Sequence, residues 1–200
     1  MVKAKIQSRY KQTEIGLLPE DWELTKIGQV CSIKTGKRNT QDANNIGLYP
    51  FFVRSATIEK INSYSFDGEA VLTPGDGAVG KIFHYINGKF DFHQRVYMIS
   101  NFTTNIDGFY FYKCFSNSFY DKIMSLTAKS TVDSVRMNMI TDMEIPIPPY
   151  AEQKAIAKVL SDIDSYIDSL KQLIQKKQDI KTATMQQLLT GKTRLYYNIS

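Results

Sequence analysis

The last quarter of the chain carries an apolar repeat that constrains everything before it. Ile156, Leu160, Ile163, Ile167, Leu170 and Ile174 follow at intervals of four, three, four, three and four, and Val159, Tyr166, Leu173 and Ile180 form a parallel row seven apart. That spacing gathers side chains on one flank of a helix and excludes a strand, whose side chains alternate every two residues. Three apolar positions per heptad make the flank wider than a simple two-stranded coiled-coil seam. The stretch "PIPPYAEQKAIAKVL", Pro146 to Leu160, starts the pattern without an intervening loop. Pro149 suits a first helical turn, Glu152 the positive end of its dipole, and Gly191 a stop. A helix over 149–190 is roughly 60 Å long. A domain of about 150 residues has a radius of gyration of only about 15 Å, too small to bury that flank, so the helix needs a partner. Lys176, Lys177, Lys181, Lys192 and Arg194 near its end suit the dipole, the favoured reading, or alternatively a phosphate backbone.

The part before the helix reads as a mixed domain over 1–148. Residues 1–12 are polar and expected to be loose, and "LLPEDWELTKIGQV" begins the fold with Trp22, Leu24 and Ile27 as core candidates. "TGKRNTQDANNIG" reads as an exposed loop. The β-like runs "LYPFFVRSA", "EAVLTPGDG", "KIFHYING" and "FDFHQRVYMIS" are divided by the turn signals Asp67-Gly68 and Asn87-Gly88, the second being the better hairpin candidate. The period then changes. Phe111, Phe115, Phe119, Ile123 and Leu126 recur every three or four residues, which predicts a core-facing helix rather than a base-stacking surface. Met143, Ile145 and Ile147 alternate with Glu144 and Pro146, the pattern of a short edge strand. The fold class expected is α+β: one mixed domain, a long coiled-coil-like helix and a tail at 191–200.

Most catalytic chemistry fails on inspection. "GDGAVGKI" has the glycine and lysine spacing of a phosphate-binding loop at Gly75, Gly80 and Lys81, but Ile82 stands where a hydroxyl must hold Mg²⁺, and strand-like alternation follows where a helix is needed. "TGKTR" at 190–194 lacks the first glycine and reads as a C-cap. "IPPY" at 147–150 resembles an amino-methyltransferase motif whose first residue must be polar, and Ile147 cannot serve. Asp21, Glu23 and Lys26 have the wrong spacing for a nuclease metal site. His84 and His93 have no supporting ligands, and Cys31 and Cys114 lack CxxC company, so neither zinc nor a disulfide framework is expected. Hydrophobic residues at 42%, charged residues at 22% and no long apolar run predict a soluble cytoplasmic protein away from membranes.

What remains is polar and cationic. The net charge of +5 favours an anionic partner if it is concentrated locally. Lys34, Lys37, Arg38 and Asn39 sit on a glycine-containing loop, Arg54 and Ser55 follow an aromatic run, Gln94 and Arg95 close another, and Lys129, Ser130, Thr131 and Arg136 precede the edge strand. Arg, Asn and Gln can bond base edges bidentately, while Lys and Ser mainly hold phosphates. As loops that could converge on one face, they are the candidate DNA-binding set.

"GLLPEDWELTKIG", "YPFFVRSA", "GEAVLTPGDGAVGKIFHYINGKFDFHQRVYMIS", "MITDMEIPIPPYAEQKAIAKVLSDID" and "TATMQQLLTGKTRL" resemble the specificity subunits of type I restriction-modification enzymes, from about Thr13 to Leu195. The resemblance implies an α+β target recognition domain that reads part of a bipartite site on double-stranded DNA. It implies a subunit without catalysis, which positions methyltransferase subunits and recruits restriction subunits. S-adenosylmethionine, ATP and Mg²⁺ are then expected on those partners and no cofactor on this chain. The family pattern has two recognition domains separated by a long helix, whereas this sequence has one of each and no internal repeat. The reading favoured is a half-length form that pairs with a second copy through the seam residues. The alternatives are the front half of a longer chain, or a helical scaffold that reads no DNA. A nucleotide-binding enzyme would bind ATP and lose it on Lys81→Ala; isothermal titration of the chain alone is expected to find no ATP binding in either form.

Overall fold

A computed structural model describes residues 9–125 and 134–196. The described residues through Ala157 form one compact unit and those from Lys158 a second. The first unit opens with the strands β1 (Tyr10–Thr13) and β2 (Gly16–Pro19), which pair antiparallel. Residues 10–12, expected to be loose, are therefore strand. β3 (Glu23–Lys26), the short α1 (Ile27–Val30) and β4 (Ser32–Thr35) follow, with Ile27 fully buried and Trp22 and Leu24 only half-buried. β5 (Tyr49–Phe52), β6 (Ile58–Ile61), β7 (Phe66–Pro74), β8 (His84–Phe92) and β9 (Val96–Ser100) complete a sheet of order β4-β9-β7-β8-β5-β6. Its pairs are antiparallel except β5 with β8.

Asn87-Gly88 is not a hairpin turn, and Asp67-Gly68 is not a turn either. Both dipeptides lie inside strands, where Gly68 and Gly88 oppose each other in the β7–β8 register. Their φ angles of 146° and 145° are positive, a conformation that side chains resist, so glycine is needed there for backbone shape within the ladder. The actual β7–β8 connection is the segment from Gly75 to Phe83, the one that imitates a phosphate loop.

α2 (Gly108–Ser125) lays Phe111, Phe115, Phe119 and Ile123, all with no exposure, against Val71 of β7 and Ile99 of β9. Leu126, expected on the same face, lies outside the described residues. Val79 and Phe83 from the β7–β8 connection join this cluster, Phe83 meeting Phe115 and Phe119 edge-on at 5.6 and 5.8 Å. The opposite face of the sheet carries its own core of Phe52, Ala70, Leu72, Phe90, Phe92, Val96 and Met98. Burial on both faces explains the unbroken apolar run "AVLT". The sheet curls, because the chain just after β4 reaches across to the end of β8: Arg38 bridges His93 in parallel although two strands separate β4 from β8. Gly36 permits that approach, since a Cβ there would lie 2.0 Å from the Phe92 carbonyl oxygen.

α3 (Met137–Thr141) leads to β10 (Glu144–Ile147), which among the described residues pairs only with β3, so Pro146 interrupts no central ladder there. Met143, Ile145 and Ile147 are buried as their alternation predicts. α4 (Tyr150–Leu189) begins after two intervening prolines, and its first turns as far as Ala157 belong to the first unit, past the boundary expected at 148/149. Gln153 has no exposure and three hydrogen bonds: it accepts from the Asp107 amide at 3.0 Å and donates to the Asn105 and Pro148 carbonyls at 2.9 Å each. Glu152 accepts from the Trp22 indole at 3.2 Å.

In the second unit the helix continues for about nine turns and stops before Gly191, whose φ is 72°. Val159, Ile163, Tyr166, Ile167, Leu170, Leu173, Ile174 and Ile180 are each between 41 and 66% exposed, while Ile156 and Leu160, nearer the helix start, are half-buried. Lys158–Asp162 and Lys171–Asp168, both at 2.9 Å, mark its polar sides. No helix among the described residues is long and apolar enough to cross a membrane.

Phe115→Ala removes the centre of the aromatic row and is expected to cost about 3–5 kcal/mol. Gly36→Ala is expected to cost about 3 kcal/mol through overpacking against backbone that cannot yield. Urea unfolding read as a midpoint shift at constant slope checks both.

Candidate nucleic-acid interface

The loops carrying the cationic residues meet because backbone hydrogen bonds stitch them together. The Gln94 amide donates to the Arg38 carbonyl at 2.8 Å, the Gly75 amide to Arg95 at 2.8 Å, the Val135 amide to Gly75 at 2.7 Å, and the His93 amide to Phe52 at 2.9 Å. Asp76 and Ser134 form an antiparallel bridge. Segments 36–39, 52–55, 75–77, 93–95 and 134–136 thereby become neighbours, although they are spread over about a hundred residues of sequence.

Within this cluster the arginines are held differently. Arg54 donates through Nη1 to Asp76 Oδ1 at 3.1 Å, and Arg95 through Nη1 to Asp76 Oδ2 at 2.6 Å. Arg38 donates through Nε to Asp91 at 3.3 Å and through Nη2 to Ser63 at 2.9 Å. Asp91 is 2% exposed and also accepts from Ser65 at 2.7 Å and from the Phe92 amide at 3.0 Å. Gln94 donates its amide to Asn39 Oδ1, and Asn39 with Asp42 caps a short 3-10 turn over Thr40–Asp42. Ser55 donates to the Thr57 carbonyl at 3.1 Å and stays exposed.

Lys34, Lys37 and Arg38 border an open cleft of about 490 Å³ whose walls include Tyr64, Phe66, Phe92 and Met98. A smaller hollow of about 200 Å³ lies between Thr35, Asp76, Gln94, Arg95 and Tyr97. Arg136 is exposed at the start of α3, two residues past the Ser134 bridge. Lys129, Ser130 and Thr131 lie outside the described residues.

Burial works to raise the Asp76 carboxyl, but the hydrogen bonds and charges of Arg95 and Arg54 outweigh it and hold the group below the ordinary carboxylate value. His93 is buried and accepts the Arg95 amide on Nδ1 at 3.0 Å, which assigns its ring proton to Nε2. Burial, reinforced by the Arg54 charge, lowers its pKa. Burial likewise lowers His84, against the opposing effect of the Ser55 carbonyl. Among the described residues no three His, Cys, Asp or Glu side chains are grouped so as to hold a metal ion. The chemistry on offer is that of hydrogen-bond donors and fixed cations.

Residues 19–180 match the family described as the type I restriction modification DNA specificity domain. The chain belongs to that family. It is 32% identical over 175 residues to the Escherichia coli type I restriction enzyme EcoDI specificity subunit, covering 88% of this chain and 38% of that one. It is 27% identical over 213 residues to the MjaVIII specificity subunit of Methanocaldococcus jannaschii, covering 93% and 49%. In fold it is similar to the type I restriction-modification S subunit of M. genitalium, with a TM-score of 0.67 at 18% identity over 93% of this chain and 47% of that one. This specificity-family chain thus spans about half the length, or less, of the curated relatives it matches.

Asp76, Asp91 and Gln153 of this specificity-family chain do not stand out in the sequence as site or junction residues. Asp76 was legible only as part of a false phosphate loop, because its partners stand 22 and 19 residues away. Gln153 left a usable signal, being a polar residue three places before Ile156 on the apolar seam.

A folded pKa below the unfolded value means that the unfolded chain binds more protons as pH falls, so stability is complete above the unfolded value and declines below it. For His93 and His84 that decline begins near 6.5. The Asp76 contribution fades only below the ordinary carboxylate value of 3.8. Denaturation profiles between pH 7.5 and about 5 are expected to show falling stability, and His93→Asn, which keeps an acceptor for the Arg95 amide without a titrating ring, is expected to flatten the slope.

Proposed function

We propose that this chain is the DNA-reading component of a type I restriction-modification assembly, recognising one half of a bipartite site through the loops around Arg38, Arg54, Asn39, Gln94, Arg95 and Arg136. The observation that carries the reading is the convergence of these separately encoded loops, each presenting exposed cationic or amide side chains. Arg, Asn and Gln supply paired donors and acceptors for base edges, and Lys34 and Lys37 beside them suit the phosphate backbone. The chain contributes no catalytic group. S-adenosylmethionine, ATP and Mg²⁺ belong to methyltransferase and restriction subunits that it positions and recruits.

The long helix is the spacer. Eight seam residues are at least two-fifths exposed, and burying a Leu or Ile side chain is worth roughly 1.5–3 kcal/mol. A second copy running antiparallel, together with a helix of the methyltransferase, covers a flank of three apolar positions per heptad. Two-fold symmetry then presents the same reading surface twice, and the target is an inverted repeat with an unread spacer of fixed length. The chain spans about half of the MjaVIII subunit and of the M. genitalium S subunit, which is compatible alike with this arrangement and with one half of a longer two-domain chain.

Methylome sequencing of cells expressing the chain with its cognate methyltransferase subunit distinguishes these readings. The expected result is adenine methylation in a palindromic bipartite motif. An asymmetric motif would replace self-pairing by partnership with a different recognition domain, and the absence of any motif would overturn DNA reading.

A further inference from the structure

We infer that Asp76 is a positioning residue that sets Arg54 and Arg95 side by side to read guanine in the major groove, so that the half-site contains a G·C pair addressed by this trio. The inference rests on the DNA-reading function proposed above and assigns it a residue and a base class.

The electrostatics make the trio informative. A loop built only to attract phosphate gains nothing from a carboxylate, which cancels one of the two positive charges. Asp76 is placed at the centre of the cationic loops and gives one oxygen to each guanidinium. Its side chain is 16% exposed, while those of Arg54 and Arg95 are 46 and 63% exposed, so the acid lies behind and the bases in front. What the carboxylate supplies is orientation.

The atoms engaged are as telling as the charges. Each arginine has five N–H donors in a rigid fork, and each uses only Nη1 on Asp76. The Nε–Nη2 edge of both has no partner among the described residues. Such an edge makes two parallel hydrogen bonds to guanine O6 and N7, adjacent acceptors that no other base offers in the major groove. Arg38 is the internal contrast. Its Nε and Nη2 are both taken by Asp91 and Ser63, so that edge is closed to a base and Arg38 can offer DNA only its remaining Nη1.

The carboxylate is itself held by backbone. Gly75 donates to the Arg95 carbonyl and accepts from Val135, and the Asp76–Ser134 bridge fixes the next residue. Phe83, farther along the same connection, is wedged between Phe115 and Phe119. The Arg54 and Arg95 forks are thus referenced to the hydrophobic core through one side chain.

The test uses the full chain with its methyltransferase subunit, a random duplex pool for selection, then equilibrium binding to the selected duplex and to a scrambled duplex of equal length at fixed salt. The wild type is expected to enrich a motif containing G·C. Asp76→Ala and Asp76→Asn are expected to weaken binding to the selected duplex about tenfold or more while leaving scrambled-duplex binding unchanged or tighter. Arg54→Lys and Arg95→Lys keep the charge; they are expected to retain scrambled-duplex affinity and lose discrimination at a G·C pair, a readout that survives if the Asp76 variants fold poorly.

If the Asp76 variants bind both duplexes more tightly, simple charge removal explains them and the positioning role is overturned. If the lysine variants keep full G·C discrimination, the forks hold phosphate and the base assignment is overturned. A wild type that enriches no motif overturns DNA reading itself, a distinct result.

Discussion

The contact between the aromatic face of α2 and the middle of the sheet is the interaction on which the rest of the first unit depends. Phe111, Phe115 and Phe119 form a row with ring centroids 5.7 and 4.7 Å apart, wholly inside and resting on Val71 and Ile99. Because β7 and β9 are immobilised there, their ends can carry irregular loops without loosening the sheet. The connection between β7 and β8 exploits the arrangement directly. Val79 and Phe83 insert into the row, so a segment rich in glycine and exposed backbone is anchored from one side. The surface proposed to meet DNA is in this sense an outgrowth of the core.

Much of that core was legible. The change of period at residue 108 announced α2, the alternation at 143–147 announced β10, and the seam from 156 announced α4 with its start near 150, because each pattern reflects local geometry that the tertiary fold did not override. The glycine dipeptides misled for a physical reason. Asn87-Gly88 has the chemistry of a tight turn, but a positive-φ glycine also suits a sharply shaped ladder, and only the opposing Gly68 distinguishes the two uses. Sequence spacing does not encode that opposition.

The candidate site was legible by residue type and not by arrangement. Lysines, arginines and amides stand out by type, and backbone hydrogen bonds bring the segments around Arg38, Arg54, Arg95 and Arg136 together, while Lys34 lies in β4 rather than on the loop expected and Asn39 is half-buried. Their pairing was invisible. Asp76 and Asp91 each bind arginine from a different part of the chain, and both were passed over because acids in a basic protein look like background. The net charge of +5 therefore understates how charge is arranged here: Asp76 and Asp91 sit inward as counterweights to arginines that are more exposed than they are.

The buried amide of Gln153 has a mechanical consequence. It spends both amide donors and its carbonyl oxygen on three backbone groups within the first turn or so of a helix roughly 60 Å long. On a lever of that length, slack of about 3° at the pivot displaces the tip by about 3 Å, comparable to one step along a DNA strand. In the spacer role proposed for the helix, fidelity to a ruler-like separation would be decided at its hilt, by the backbone contacts of this one buried amide.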